Sequence, residues 1–113
     1  MKTPLLILAL VTSTVAAASV SPAAQTPDGK ALYNENCRKC HGVIGHPPKT
    51  MLAKFPKIAT FDAAFIAAHS QDSIVKVLTN GKNEDMKSFK DKLKPDEMKA
   101  VADYVHELGS RTH

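Results

Sequence analysis

The chain has 113 residues and a formal net charge of +4, with two cysteines, no tryptophan, four phenylalanines and two tyrosines. That length suits one domain, and so few aromatic side chains leave little from which to build a self-sufficient core. Beyond Lys2, lysines run from Lys30 to Lys99 with acidic residues between them. Without an arginine-rich stripe or an aromatic platform, this balance argues against a nucleic-acid binder and leaves docking of a lysine-bearing face on an acidic protein partner.

In chain order, Lys2, the apolar run Leu5 to Val11 and the A-x-A site Ala16-Ala17-Ala18 read as a secretory signal peptide cleaved near Ala18. Thr12, Ser13 and Thr14 interrupt the run well short of the roughly 20 apolar residues that a spanning helix needs, so a retained anchor is the lesser alternative. The expected organisation is a signal peptide over 1–18, a flexible leader over 19–25 and one periplasmic domain over 26–113. Cleavage leaves 95 residues, near the small end of what folds unaided. Bridging the two cysteines would close a loop too small to constrain the unfolded chain. Some other device must complete the core.

"TPDGKALYNENC" predicts a first helix with Thr26 as N-cap, Pro27 at its first position and Asp28 in its first turn. From Gly42 to Lys57, Gly45, Pro47, Pro48 and Pro56 forbid a long regular element. "TFDAAFIAAHS" reads as a short helix capped by Thr60, with Phe61, Phe65 and Ala68 on one face. "SQDSIVKVLTNG" follows as another, with Ser70 before it and Gly81 as its stop. Its β-branched "IVKVL" has no partner strand, so helix prevails. Lys82 to Leu93 is polar and irregular. "KPDEMKAVADYVHELG" closes the chain as a helix with Met98, Val101, Ala102, Val105 and Leu108 in one stripe, ended by Gly109. Four or five helices and no sheet define an all-α domain.

The chemistry lies in C-x-x-C-H. On a helical turn, Cys37 and Cys40 share one side and His41 projects close by. That spacing lets both thiols add across the vinyl groups of one haem, with the His41 imidazole as an iron ligand: the c-type haem attachment signature. Two other uses of these residues fit worse. A redox C-x-x-C wants a thioredoxin-like βαβ context that a helical chain lacks. A structural zinc site needs four ligands; Cys37, Cys40, His41 and His46 supply the number, but adjacent Cys40 and His41 suit a tetrahedron badly. Haem also meets the core deficit, being large, flat and apolar.

The sixth iron ligand decides between carrying electrons and binding a small molecule. Met51 and His46 are too near His41 in sequence to reach the opposite haem face. Met98 lies on the apolar stripe and reads as core packing. His69 and His106 lie at or within helices, and His113 is at a terminus. Met86, in the polar "NGKNEDMKSFKDKL", has no packing role to account for it. It is the favoured ligand; bis-histidine ligation is the alternative.

With these residues in hand, the chain resembles class I cytochrome c from Gly29 to Leu108. In "GKALYNENCRKCHG", Gly29 and Tyr33 match the small residue and the aromatic at which the first helix crosses the last. Val101 and Tyr104 of "AVADYV" match the opposing contacts. "GKNEDMKSFKDKL" is similar to the family's methionine loop, with Met86 at the ligand position and Phe89 just after it. "HPPK" resembles the segment whose proline carbonyl, here of Pro47 or Pro48, accepts a hydrogen bond from the axial histidine. Lys87 stands where bacterial members often carry proline, and Lys94 where a capping Ser or Asp is usual.

The resemblance implies the cytochrome c fold and a non-enzymatic shuttle of single electrons through one haem c, attached by Cys37 and Cys40 and ligated by His41 and Met86. Partners would be redox proteins, with Lys49, Lys54, Lys82, Lys87 and Lys90 around the haem edge. The alternative function is a haem c protein with an open sixth site, for gas sensing or peroxide chemistry. A thiol–disulfide exchanger is the third reading.

Overall fold

A computed structural model describes residues 2–5, 7–17 and 26–111. The expected cleavage point at Ala18, the 19–25 leader and His113 lie outside these residues. Among them the chain forms six helices and no strand, so the all-α expectation is met with more helices than expected. The surplus comes from two short elements, one within the C-x-x-C-H motif and one in the proline- and glycine-bearing region after it.

The first helix, α1 (Gly29–Asn36), begins later than expected. Asp28 is its cap, not Thr26: the carboxylate accepts from the Ala31 amide at 3.1 Å, satisfying a donor that has no partner inside the helix. Cys37 ends α1 with its own amide on the Tyr33 carbonyl and at once starts the four-residue α2 (Arg38–His41). The six-residue α3 (Lys49–Lys54) opens on the Pro48 carbonyl, which accepts from Met51 at 2.9 Å and Leu52 at 3.0 Å.

For α4 (Ala63–Ala68), Asp62 displaces the expected Thr60 as cap and accepts from the Phe65 amide at 2.9 Å. The stronger N-cap residue wins over threonine, and the shift leaves Phe61 outside the helix. Ser70 caps α5 (Gln71–Asn80) and Gly81 ends it, both as expected. Then α6 (Pro95–Ser110) runs past Gly109, which is not its stop. A Cβ at Gly109 would stand 2.5 Å from Ile66 Cγ2 and 2.9 Å from the Asp62 carbonyl oxygen. That glycine serves the close approach of α4. At the other end Lys94 gives no side-chain cap; the Glu97 carboxylate accepts from the Lys94 amide at 2.9 Å instead.

The stripe predicted for α6 is the core: Met98, Val101, Ala102, Val105 and Leu108 are all buried, and α1, α4 and α5 pack against that helix. Fully burying one such side chain contributes about 1.5–3 kcal/mol. At the centre Tyr33 and Tyr104 meet edge to face, ring centroids 5.2 Å apart. Alongside, a Cβ on Gly29 would lie 2.2 Å from the Ala100 carbonyl oxygen, so only glycine lets α1 come this close to α6.

Outside the domain, residues 2–5 and 7–17 form no helix or strand. Leu5, Ile7, Leu8, Leu10 and Val11 are each at least 80% exposed, so this run contributes nothing to the core. No helix among the described residues is long and apolar enough to cross a membrane.

Gly29→Ala is expected to destabilise the haem-loaded protein by about 1–3 kcal/mol through overpacking, read from the midpoint of chemical denaturation. An unchanged midpoint would mean that the two helices part without penalty.

Candidate haem-binding site

The turn formed by α2 sets out the motif as its spacing requires. The Cys40 and His41 amides both bond to the Cys37 carbonyl, at 3.2 and 3.0 Å, placing all three side chains on one short coil. Cys37 is buried and Cys40 half-buried, and both are free thiols. Burial, with the neighbouring Cys40 as the lesser cause, pushes the Cys37 thiol up to about 12. A thiol held protonated near neutral pH is a poor nucleophile, so Cys37 is not poised to attack a disulfide.

His41 is buried, and its Nδ1 donates to the Ala59 carbonyl at 3.1 Å. This corrects the expectation drawn from "HPPK". The Pro48 carbonyl is engaged in starting α3, and the acceptor for the imidazole comes from the chain just before α4. A donating Nδ1 fixes the tautomer and leaves the lone pair on Nε2. Burial holds the His41 pKa below its ordinary value despite the opposing Ala59 bond, favouring the neutral imidazole that metal ligation needs. No buried side-chain nitrogen or oxygen among the described residues lacks a partner, so Nε2, which makes no hydrogen bond, reaches accessible space.

The loop after α5 holds Met86. Asn83 Oδ1 accepts from the amides of Asp85 at 3.0 Å and Met86 at 2.8 Å, and the Met86 carbonyl accepts from the Lys82 amide at 2.8 Å. Three residues on, the Phe89 amide bonds to the Leu78 carbonyl at 2.7 Å, tying the loop back to α5. The Met86 side chain is half-buried against the same apolar cluster that contains Cys37 and Phe61, as are Leu32, Ile74, Val75 and Phe89.

The other candidates are otherwise engaged. Met98 is buried and its sulfur accepts from Thr79 Oγ1 at 3.7 Å, as its core reading requires. His106 Nε2 donates to the His69 carbonyl at 2.7 Å, and the His69 ring packs on Phe65 with centroids 4.4 Å apart. No group of three or more His, Cys, Asp or Glu that could hold a metal ion occurs among the described residues, which leaves the zinc reading without a donor set.

These residues fit a haem. Two thiols on one turn, a buried imidazole with one nitrogen committed to a carbonyl, and a half-buried thioether are donors such a group takes. Two parts of the site were missed in the sequence. The Ala59 acceptor is a backbone atom with no residue-type signature. Asn83 carried a signal that went unused, since asparagine two or three residues before an amide readily forms such a turn.

Comparison with known proteins agrees. The family described as cytochrome c oxidase, cbb3-type, subunit III matches residues 24–105. Cytochrome c6 of Nostoc sp. is 31% identical over 101 residues, covering 89% of this chain and 86% of its own. The CcoP subunit of the cbb3-type cytochrome c oxidase of Azospirillum brasilense is 32% identical over 89 residues, 77% of this chain but 30% of CcoP. Among solved structures, the KustC0563 c-type cytochrome superposes with a TM-score of 0.65 at 36% identity, over 74% of this chain and 99% of its own. The helical seam, the C-x-x-C-H turn and these likenesses together place the chain in the class I c-type cytochromes, within the family described as cbb3-type subunit III, as a small electron-transfer protein of the cytochrome c fold with covalently bound haem c.

Proposed function

We propose that this chain is an exported shuttle for single electrons, its haem c attached through Cys37 and Cys40 and ligated by His41 and Met86. The observation that carries the reading is the His41 ring: Nδ1 is bonded to Ala59, and Nε2 is left as the one nitrogen with a lone pair to give. When bound, haem supplies a one-electron ferrous–ferric couple, and a thioether ligand favours its ferrous side relative to a second imidazole.

The protein's own residues hold that couple steady. Ala59 keeps the imidazole in one tautomer through both oxidation states, and Asn83 keeps the Met86 backbone in one turn. With His41 and Met86 as its ligands, the iron would offer no position to a substrate. The signal peptide over 1–18 and leader over 19–25 belong to this reading, which places the domain from residue 26 onward in the periplasm.

Partners are redox proteins approached through charge. Lys49 and Lys54 on α3, and Lys82, Lys87 and Lys90 around the Met86 loop, are all exposed. No ion pair among the described residues ties any of them. We assign these lysines to steering an acidic partner toward the haem edge.

The reduced, haem-loaded protein is expected to be indifferent to carbon monoxide and Met86→Ala to bind it, read from visible spectra. Carbon monoxide binding by the unaltered protein would overturn Met86 ligation and favour small-ligand or peroxide chemistry at an open site. Asn83→Ala is expected to lose about 1 kcal/mol of local order, speeding amide exchange at Asp85 and Met86 roughly fivefold. Unaltered exchange there would show that Asn83 does not hold the loop. Stopped-flow rates with an acidic redox protein are expected to fall as ionic strength rises. A rate insensitive to salt would sink the steering role of the lysines.

A further inference from the structure

The Ala59 hydrogen bond holds the His41 ring at one atom of its edge. A second residue of the same segment meets its face. Phe61 lies against the face of the imidazole, with ring centroids 4.6 Å apart and planes within 18° of parallel. In three residues the chain meets the ligand at its edge, through the Ala59 carbonyl, and at its face, through the Phe61 ring.

Phe61 is itself fixed. It is 8% exposed, and its amide bonds to the Gly45 carbonyl at 2.8 Å. Gly45 has φ +84°, and a Cβ there would stand 2.8 Å from Phe61 Cβ, so the turn after the haem motif is shaped to admit this residue. The Phe65 ring tilts against it at 5.0 Å, and the edge of Tyr33 meets it at 6.3 Å. Tyr33 is wholly buried and donates to the Gly42 carbonyl at 2.7 Å, one residue beyond His41. Phe61 is therefore a rigid plate bolted to both flanks of the motif.

We propose that Phe61 is a positioning residue for the axial ligand: it sets the rotation of the His41 imidazole plane and holds it there in both oxidation states. The inference rests on His41 being the iron ligand. The orientation of a ligand's π system decides which iron orbital carries the unpaired spin in the low-spin ferric state. A ring held in one orientation keeps that distribution unchanged between turnovers and limits rearrangement on electron transfer. A flat face is what the role requires, and aromatic rings supply it where an aliphatic side chain of similar bulk does not.

The test uses proton NMR of the haem-loaded protein. In the reduced, unaltered protein, a nuclear Overhauser contact between the Phe61 and His41 rings is expected. In the oxidised protein, Phe61→Leu is expected to change the order or spread of the four haem-methyl resonances, whereas Phe61→Tyr, which keeps the plate, preserves them. Haem-methyl resonances in Phe61→Leu identical to the unaltered pattern would overturn the proposal, as would absence of the Overhauser contact. The contact is measured without any variant, so it decides the matter even if Phe61→Leu does not fold. A haem-loaded protein whose His41 ring protons carry no shift from the haem would instead overturn the ligation reading and the inference with it.

Discussion

The close approach of α1 to α6 is the constraint on which the rest of this molecule depends. Gly29 lets the Ala100 backbone come within what would be the reach of its Cβ, and the fully buried Tyr33 fills the angle one turn further on. Because Tyr33 also donates to the Gly42 carbonyl, the seam reaches directly to the haem motif. The last residues of the domain thus hold the first ones in the shape that the chemistry needs. In a chain this short, with so few aromatic side chains, one tight contact between sequence-distant helices replaces a larger core.

At the motif the protein works mostly through its backbone. The α2 turn is set by the Cys37 carbonyl, and the imidazole is oriented by the Ala59 carbonyl. Burial keeps the Cys37 thiol and the His41 imidazole in their neutral forms. The Met86 side obeys different physics. Its loop has no regular element, and its order comes from the Asn83 carboxamide, three backbone bonds and the Ser88 hydroxyl on the Thr79 carbonyl. Such a loop has less to lose on opening than the helical side, so the His41 and Met86 segments differ in rigidity as well as in chemistry.

The relatives show this domain at two scales. It spans nearly the whole of a cytochrome c6 and about a third of a CcoP subunit. Around the helical seam and the haem turn, the surface of this chain carries lysines on α3 and the Met86 loop.

Much of this was legible in the residues taken alone. C-x-x-C-H at Cys37–His41, the Ser70 and Gly81 boundaries of α5, the apolar stripe of α6 and the Gly29–Tyr33 match are local patterns, and local patterns survive folding. Met98 was separated from Met86 by periodicity, which burial and the Thr79 bond to its sulfur then bear out. Competition and distance hid the rest. Thr60 reads as the cap in isolation, but the Asp62 carboxylate takes that place, which moves Phe61 out of α4 and onto the face of His41. Gly109 reads as a stop in isolation, but is a point of contact once α4 lies beside it. The acceptor for the imidazole was unreadable in principle, since every residue has a carbonyl and only the path of the chain selects Ala59. The haem attachment motif and the helices follow from side-chain chemistry at fixed spacing and are therefore read directly from the residues. How His41 is held was decided by the fold, because that depends on which distant backbone and which distant ring the folded chain brings beside it.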